Sequence, residues 1–158
     1  MFAVCRAVGS VVLIVGFVAA ANATNGLPKL LGDAPHGALT WQVRPAHIVY
    51  TGDGSGVLGG FDGTGARHAL RPGRLIWSSW TETLARGSGA VWLDDCVPDC
   101  ARGKFAAHAV KVVAFRPISG HFTRLTLTYA YKGKRDVDRR GIIRNGGSWM
   151  YYIVGYPP

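Results

Sequence analysis

Three groups of residues have the types and spacings that chemistry would need. The first is Cys96 and Cys100, set around Val97-Pro98-Asp99. Pro98 fixes its own φ and biases Val97 toward an extended conformation, so the intervening residues read as a turn. A turn of that length brings two Cα atoms within the range a disulfide needs. A Cys-x-x-Cys redox motif is one residue shorter. Zinc would need two further ligands, and no His-x-x-x-His or second Cys pair supplies them. The pair therefore reads as a structural disulfide. Closing so short a loop is worth about 2 kcal/mol, enough to pin a corner.

The second group is Thr51-Gly52-Asp53-Gly54-Ser55-Gly56, with Asp62 shortly after it. Gly54 to Gly59 match Gly-x-Gly-x-x-Gly, but a dinucleotide site also needs a helix opening at the third Gly. Gly60-Phe61-Asp62-Gly63 cannot start one, so no cofactor is expected. Asp53, Ser55 and Asp62 stand as candidate oxygen ligands of this loop. Counted from Asp53, the Gly and the terminal carboxylate of an EF-hand would fall on Leu58 and Thr64, so that calcium template fails. No metal site is assigned. Ser55 has Asp53, not Gly, two residues before it, which departs from the nucleophile elbow. His36, His47, His68, His108 and His121 never pair at i, i+2 or i, i+4. No catalytic residue is assigned either.

The third group is the run from Lys132 to Arg144, where Lys132, Lys134, Arg135, Arg139, Arg140 and Arg144 are interrupted by Asp136 and Asp138. Such a cluster grips phosphates or other polyanions by releasing counterions. Its bland use is a solvated loop whose mixed charges keep the chain soluble. The two aspartates favour the bland use, and the six cations remain the candidate anion-binding set.

The elements that must position these groups are strands. Short runs rich in β-branched and aromatic residues recur between Gly and Pro, and no capped helical stripe of ten or more residues follows the first 23. Leu39–Arg44 and Ala46–Tyr50 read as two strand halves broken by Pro45. Residues 51–73 read as a long Gly-rich loop. Arg74–Glu82 and Gly89–Asp94 are strands on either side of a gap, and Lys104–Arg116 leaves the cysteine corner. Pro117-Ile118-Ser119-Gly120 is a turn signal. His121–Tyr131 alternates most cleanly, Lys132–Asn145 reads as a charged loop, and Ser148–Val154 is the last strand. The predicted fold is all-β, an antiparallel sandwich or small barrel of six to seven strands. Trp77, Trp80, Trp92, Trp149, Tyr151 and Tyr152 could form a stacking platform, although the commoner use of such residues in a small β domain is core. Strand parity puts Trp77 and Trp80 on opposite faces, as it does Trp149 and Tyr152, so one of each pair is a candidate to lie outside the core.

The chain has 158 residues, with 18 Lys and Arg against 9 Asp and Glu. Arg6 precedes a small, apolar run from Ala7 to Ala21, and Ala21-Asn22-Ala23 has the small-x-small pattern of a cleavage site. The run is too short for a comfortable membrane span. Residues 1–23 are therefore expected to be a signal peptide, residues 24–38 a flexible lead-in, and residues 39–158 a single β domain. Cleavage would remove Cys5 and leave an even pair of cysteines, which fits an exported chain.

Thr51-Gly52-Asp53-Gly54-Ser55-Gly56, the tryptophans Trp77, Trp80 and Trp92, and Cys96-x-Pro98-x-Cys100-Ala101-x-Gly103 resemble a group of small exported actinobacterial proteins of unknown function. The resemblance runs from about Val43 to Tyr131 and implies export and a single β domain. It carries over no catalytic residue.

Together these readings predict an exported, non-catalytic, basic β-domain protein. Its expected partner is an anionic cell-wall or extracellular polymer, because a strong positive balance favours such polymers. Two other classes stay open: a small secreted hydrolase with a dispersed Ser/His/Asp site, and a protein–protein interaction module.

Overall fold

Three tight hairpins organise the C-terminal half. Ser119-Gly120, Lys132-Gly133 and Gly146-Gly147 each place two consecutive residues at positive φ, the type I′ geometry that matches the twist of the strands it joins. A computed structural model describes residues 26–33, 39–51, 55–60, 73–100 and 102–155. The expected signal peptide, Asp53 and Asp62 lie outside the described residues.

The strands are β1 Leu30–Asp33, β2 Leu39–Gln42, β3 Ile48–Val49, β4 Gly56–Leu58, β5 Ile76–Trp80, β6 Leu84–Asp94, β7 Phe105–Ile118, β8 His121–Tyr131, β9 Lys134–Asn145 and β10 Ser148–Ile153. The protein is all-β, and a curled antiparallel sheet forms a half-barrel. The order across it is β10-β9-β8-β7-β6-β4-β3, with β5 beside the first half of β6. β1 and β2 form a second, two-stranded sheet.

Alternation sorts this sheet into two faces. Ala85 and Val91 on β6, Val110, Val112 and Ala114 on β7, and Leu125, Leu127 and Tyr129 on β8 all point to the concave side and are buried. Ile48 and Leu58 extend that core across β3 and β4, and Ile142 and Tyr151 extend it across β9 and β10. Leu30 and Leu31 of β1 cover it, both essentially inaccessible.

Four expectations change. The charged stretch Lys132–Asn145 is not a loop but strand β9 between two hairpins. A strand needs only one face suited to the interior, and here that face closes its charges against each other. The Gly-rich stretch 51–73 contains β4, a three-residue strand that is wholly buried. The lead-in contains β1, which is packed on the core. In β5 the register shifts between Trp77 and Ser79. That bulge cancels the parity argument, because it adds a residue on one strand alone. Trp77 and Trp80 turn to the same side, with ring centroids 4.7 Å apart and edge to face. The expected division of Trp149 from Tyr152 matches the alternation of β10.

Candidate anion-binding face

β9 holds most of the candidate cations, and its alternation separates them from the acids. Asp136, Asp138 and Arg140 stand opposite Tyr129, Leu127 and Leu125 of β8, so they share the concave face. Arg135 and Arg139 stand opposite Ala130 and Thr126 and share the convex face. Sequence order therefore misleads: the aspartates that interrupt the basic run do not interrupt the basic surface.

On the concave side Arg140 and Asp138 form a two-point ion pair, Nε to Oδ1 at 2.8 Å and Nη2 to Oδ2 at 2.7 Å. Their side chains are only 12% and 15% exposed. The guanidinium also lies over the Tyr50 ring, 5.0 Å from its centroid. Tyr129 hydrogen-bonds Asp136, and burial and the Asp136 and Asp138 charges push its hydroxyl up to about 12. Burial, then Tyr129, pushes the Tyr50 hydroxyl up further still. Both phenols are thus held neutral near the carboxylates, and Tyr129 donates to one of them. Arg140 is internal structure, and of the six candidate cations it is the one removed from the surface set.

The convex side gathers cations from four strands: Arg86 on β6, Lys111 on β7, Arg124 on β8, and Arg135 and Arg139 on β9. Arg86, Lys111, Arg135 and Arg139 are exposed and Arg124 is half-buried. One cross-strand row runs Arg139, Thr126, Val113, Arg86. The next runs Val137, Thr128, Lys111, Ser88 and reaches Ile76 on β5. Arg124 occupies a third row beside Gly141 and Phe115, with its guanidinium 5.7 Å from the Tyr152 ring centroid. The cations are staggered, so the nearest pairs are about 8 Å apart at ordinary strand spacing. Across water that costs only about 0.5 kcal/mol per pair. The summed field still attracts anions. Among the described residues of β6 to β10, Asp94 is the only carboxylate at an outward position. It lies at the disulfide end of β6, and its Oδ1 accepts the Cys96 N–H at 2.9 Å.

Cys96 and Cys100 are joined as the spacing predicts, with S–S 2.08 Å. Four backbone donors, those of Cys96, Val97, Arg102 and Lys104, tie the corner to its own acids. Val97 and Lys104 N–H donate to Asp95, which holds the Asp95 carboxyl below its usual range, Lys104 contributing most. Arg102 pairs with Asp99 at 2.6 Å. The Gly-rich loop abuts this corner, because Asp94 N–H donates to the Ser55 carbonyl. Ser55 Oγ reaches Thr51 Oγ1 at 3.5 Å.

The remaining candidates scatter. Lys132 is in the β8–β9 turn, its ammonium 5.1 Å from the Tyr131 ring centroid. Lys134 begins β9, and Arg144 lies one residue before its end, its Nε donating to the Gly147 carbonyl. His47 donates to the Gly73 carbonyl at 3.1 Å, and His121 packs on Trp41. His108 packs on Tyr131, with Nε2 buried and without a hydrogen-bond partner among the described residues. No group of three or more His, Cys, Asp or Glu suited to a metal ion occurs among the described residues.

Sequence reasoning missed Arg86, Lys111 and Arg124, which form no basic run in their strands and join the array only through register. It also missed a groove of about 380 Å³ lined by Arg44, Arg74, Leu75, Ile76 and Trp77. Compared with protein-family models, curated proteins and solved structures, the chain matches none.

Proposed function

We propose that this protein binds an anionic polymer across the convex face of its half-barrel, in an extracytoplasmic compartment. One observation carries the reading: alternation places Asp136 and Asp138 of β9 on the concave side, Asp136 exposed there and Asp138 half-buried, and leaves Arg86, Lys111, Arg124, Arg135 and Arg139 on the convex side. A single small anion would need a cleft, whereas a staggered array on an open sheet offers many weak contacts to one long chain. The Cys96–Cys100 disulfide supports an oxidising location. The formal charge of +9 adds long-range attraction.

The test is binding to dextran sulfate, a polyanion with no protein-like features, across a series of salt concentrations. For nucleic acids each neutralised charge adds about 0.7 to 0.9 to the log–log salt slope. Replacing Lys111, Arg135 and Arg139 by Ala should therefore reduce the slope by about 2. An unchanged slope in a folded triple variant would overturn the reading.

A further inference from the structure

The groove beside β5 is separate from the convex array but touches it. Ile76 lines the groove and also stands opposite Ser88, which stands opposite Lys111. A polymer lying along that row would reach the groove at the edge of the sheet. We infer that the groove is a subsite for one carboxylated sugar unit, a uronate, of the polymer held by the convex face. This inference rests on the polymer-binding reading and adds the chemistry of the repeating unit to it.

The lining combines two features that a bare polyanion does not need together. Arg44 and Arg74 are exposed, and neither belongs to an ion pair of the described residues. Two unpaired guanidinium groups at one rim suit a planar carboxylate, which each can grip with two parallel hydrogen bonds. Leu75, Ile76 and Trp77 supply the rest of the wall. Ile76 is 65% exposed, an unusual amount for an aliphatic side chain in a strand. The carbon-bound hydrogens of a sugar ring would cover such a wall, whereas a phosphate group offers nothing to it. The volume also lies within the range of small-molecule sites.

The groove is built in advance. Trp77 Nε1 donates to the Pro45 carbonyl at 2.8 Å, so its polar edge is occupied and its ring position is set. Trp80 braces that ring from within. Leu75 N–H donates to the Ala46 carbonyl at 2.8 Å, and His47 ties down Gly73 next to Arg74. Arg44 itself sits at φ 55°, a left-handed conformation rare for a side-chain-bearing residue. Ordering costs for binding are correspondingly small.

The experiment compares two probes with the full chain at one salt concentration: polygalacturonate, which carries carboxylated sugars, and inorganic polyphosphate, which carries charge without sugar. Arg44→Lys with Arg74→Lys keeps the charge and loses the planar forks. This variant should bind polygalacturonate about 10-fold more weakly while binding polyphosphate within about 2-fold of the parent. Ile76→Ser, which leaves every cation in place, should show the same selectivity with a smaller loss. Equal losses on both probes, or none on polygalacturonate, would overturn the uronate subsite. The Lys111, Arg135 and Arg139 triple variant reports separately on the face. If it weakens both probes while the groove variants weaken neither, the subsite fails and the polymer-binding face stands. If the parent binds neither probe, the subsite fails; if it binds dextran sulfate no better, both readings fail.

Discussion

Arg140 and Tyr129 show how the concave face holds polar groups that their surroundings would otherwise expel. The Arg140 guanidinium has a carboxylate on one edge and a ring beneath it, so little of its charge is left unsatisfied. Tyr129 is the group whose ionisation tests this neighbourhood. Its hydroxyl is pushed up to about 12, whereas an unfolded tyrosine ionises near 10. The folded chain keeps that proton more tightly. The associated stabilisation is complete below pH 10 and is lost as pH rises from 10 through about 12. Burial shifts Tyr50 and Tyr151 in the same direction, so the parent should lose stability steeply above that point. Tyr129→Phe removes one of these protons. Its urea midpoint should therefore fall less between about pH 9 and about pH 11 than that of the parent. Parallel declines would show that Tyr129 ionises alike in both states.

β9 is the element where neighbouring residues have opposite duties. Arg139 faces solvent over Thr126, and Arg140 faces the core over Leu125. Arg139→Ala should weaken polyanion binding and change stability by no more than about 0.5 kcal/mol. Arg140→Ala strands the Asp138 carboxylate at 15% exposure. It should cost about 2 kcal/mol in denaturant unfolding, below the range for fully buried pairs. Equal stabilities for the two variants would mean that β9 is not divided as described. The strand itself was legible only in part. His121–Tyr131 announced its alternation because its inward residues are Leu and Tyr. β9 places Asp136, Asp138 and Arg140 at the inward positions instead, so a hydrophobicity pattern reads as loop where the backbone runs as strand. The signals that remained were Lys132-Gly133 and Gly146-Gly147, each fit for a two-residue turn. Their separation leaves a strand of ordinary hairpin length between them. The disulfide, by contrast, followed from local spacing alone. The basic face did not, because register between β6, β7, β8 and β9 is a property of pairs of strands and appears in none of them singly.

At the scale of the whole molecule, the half-barrel is a local meander closed by a distant strap. β6 to β10 pair in chain order, β6 with β7 through the disulfide corner and the rest through two-residue turns, so each strand meets its neighbour in sequence. The segment before β1 and β1 itself do the reverse. Lys29 N–H donates to the Gly120 carbonyl and Phe122 N–H to the Lys29 carbonyl, which fastens the strap to the β7–β8 hairpin. Trp80 Nε1 donates to the Pro28 carbonyl at 2.8 Å, and the Tyr151 hydroxyl donates to the Leu31 carbonyl. Three residues of the strap, Pro28, Lys29 and Leu31, thereby join β5, β8 and β10. Curvature of the sheet and burial of Leu125, Leu127 and Phe122 depend on that cover, because a concave apolar face left open would be wet. Leu31→Ala should cost about 3 kcal/mol, since Leu31 is 1% exposed and the rigid sheet around it closes poorly over a void. The outer hairpin offers the contrast. Ile118 is 52% exposed, and Ile118→Ala should change stability by no more than about 0.5 kcal/mol. Urea unfolding of the two variants, followed in parallel by far-ultraviolet and near-ultraviolet circular dichroism, decides the matter. Coincident transitions, with Leu31→Ala shifted far below Ile118→Ala, would make strap and meander one cooperative unit. A near-ultraviolet transition that precedes the far-ultraviolet one in the parent would show that the meander stands without its strap.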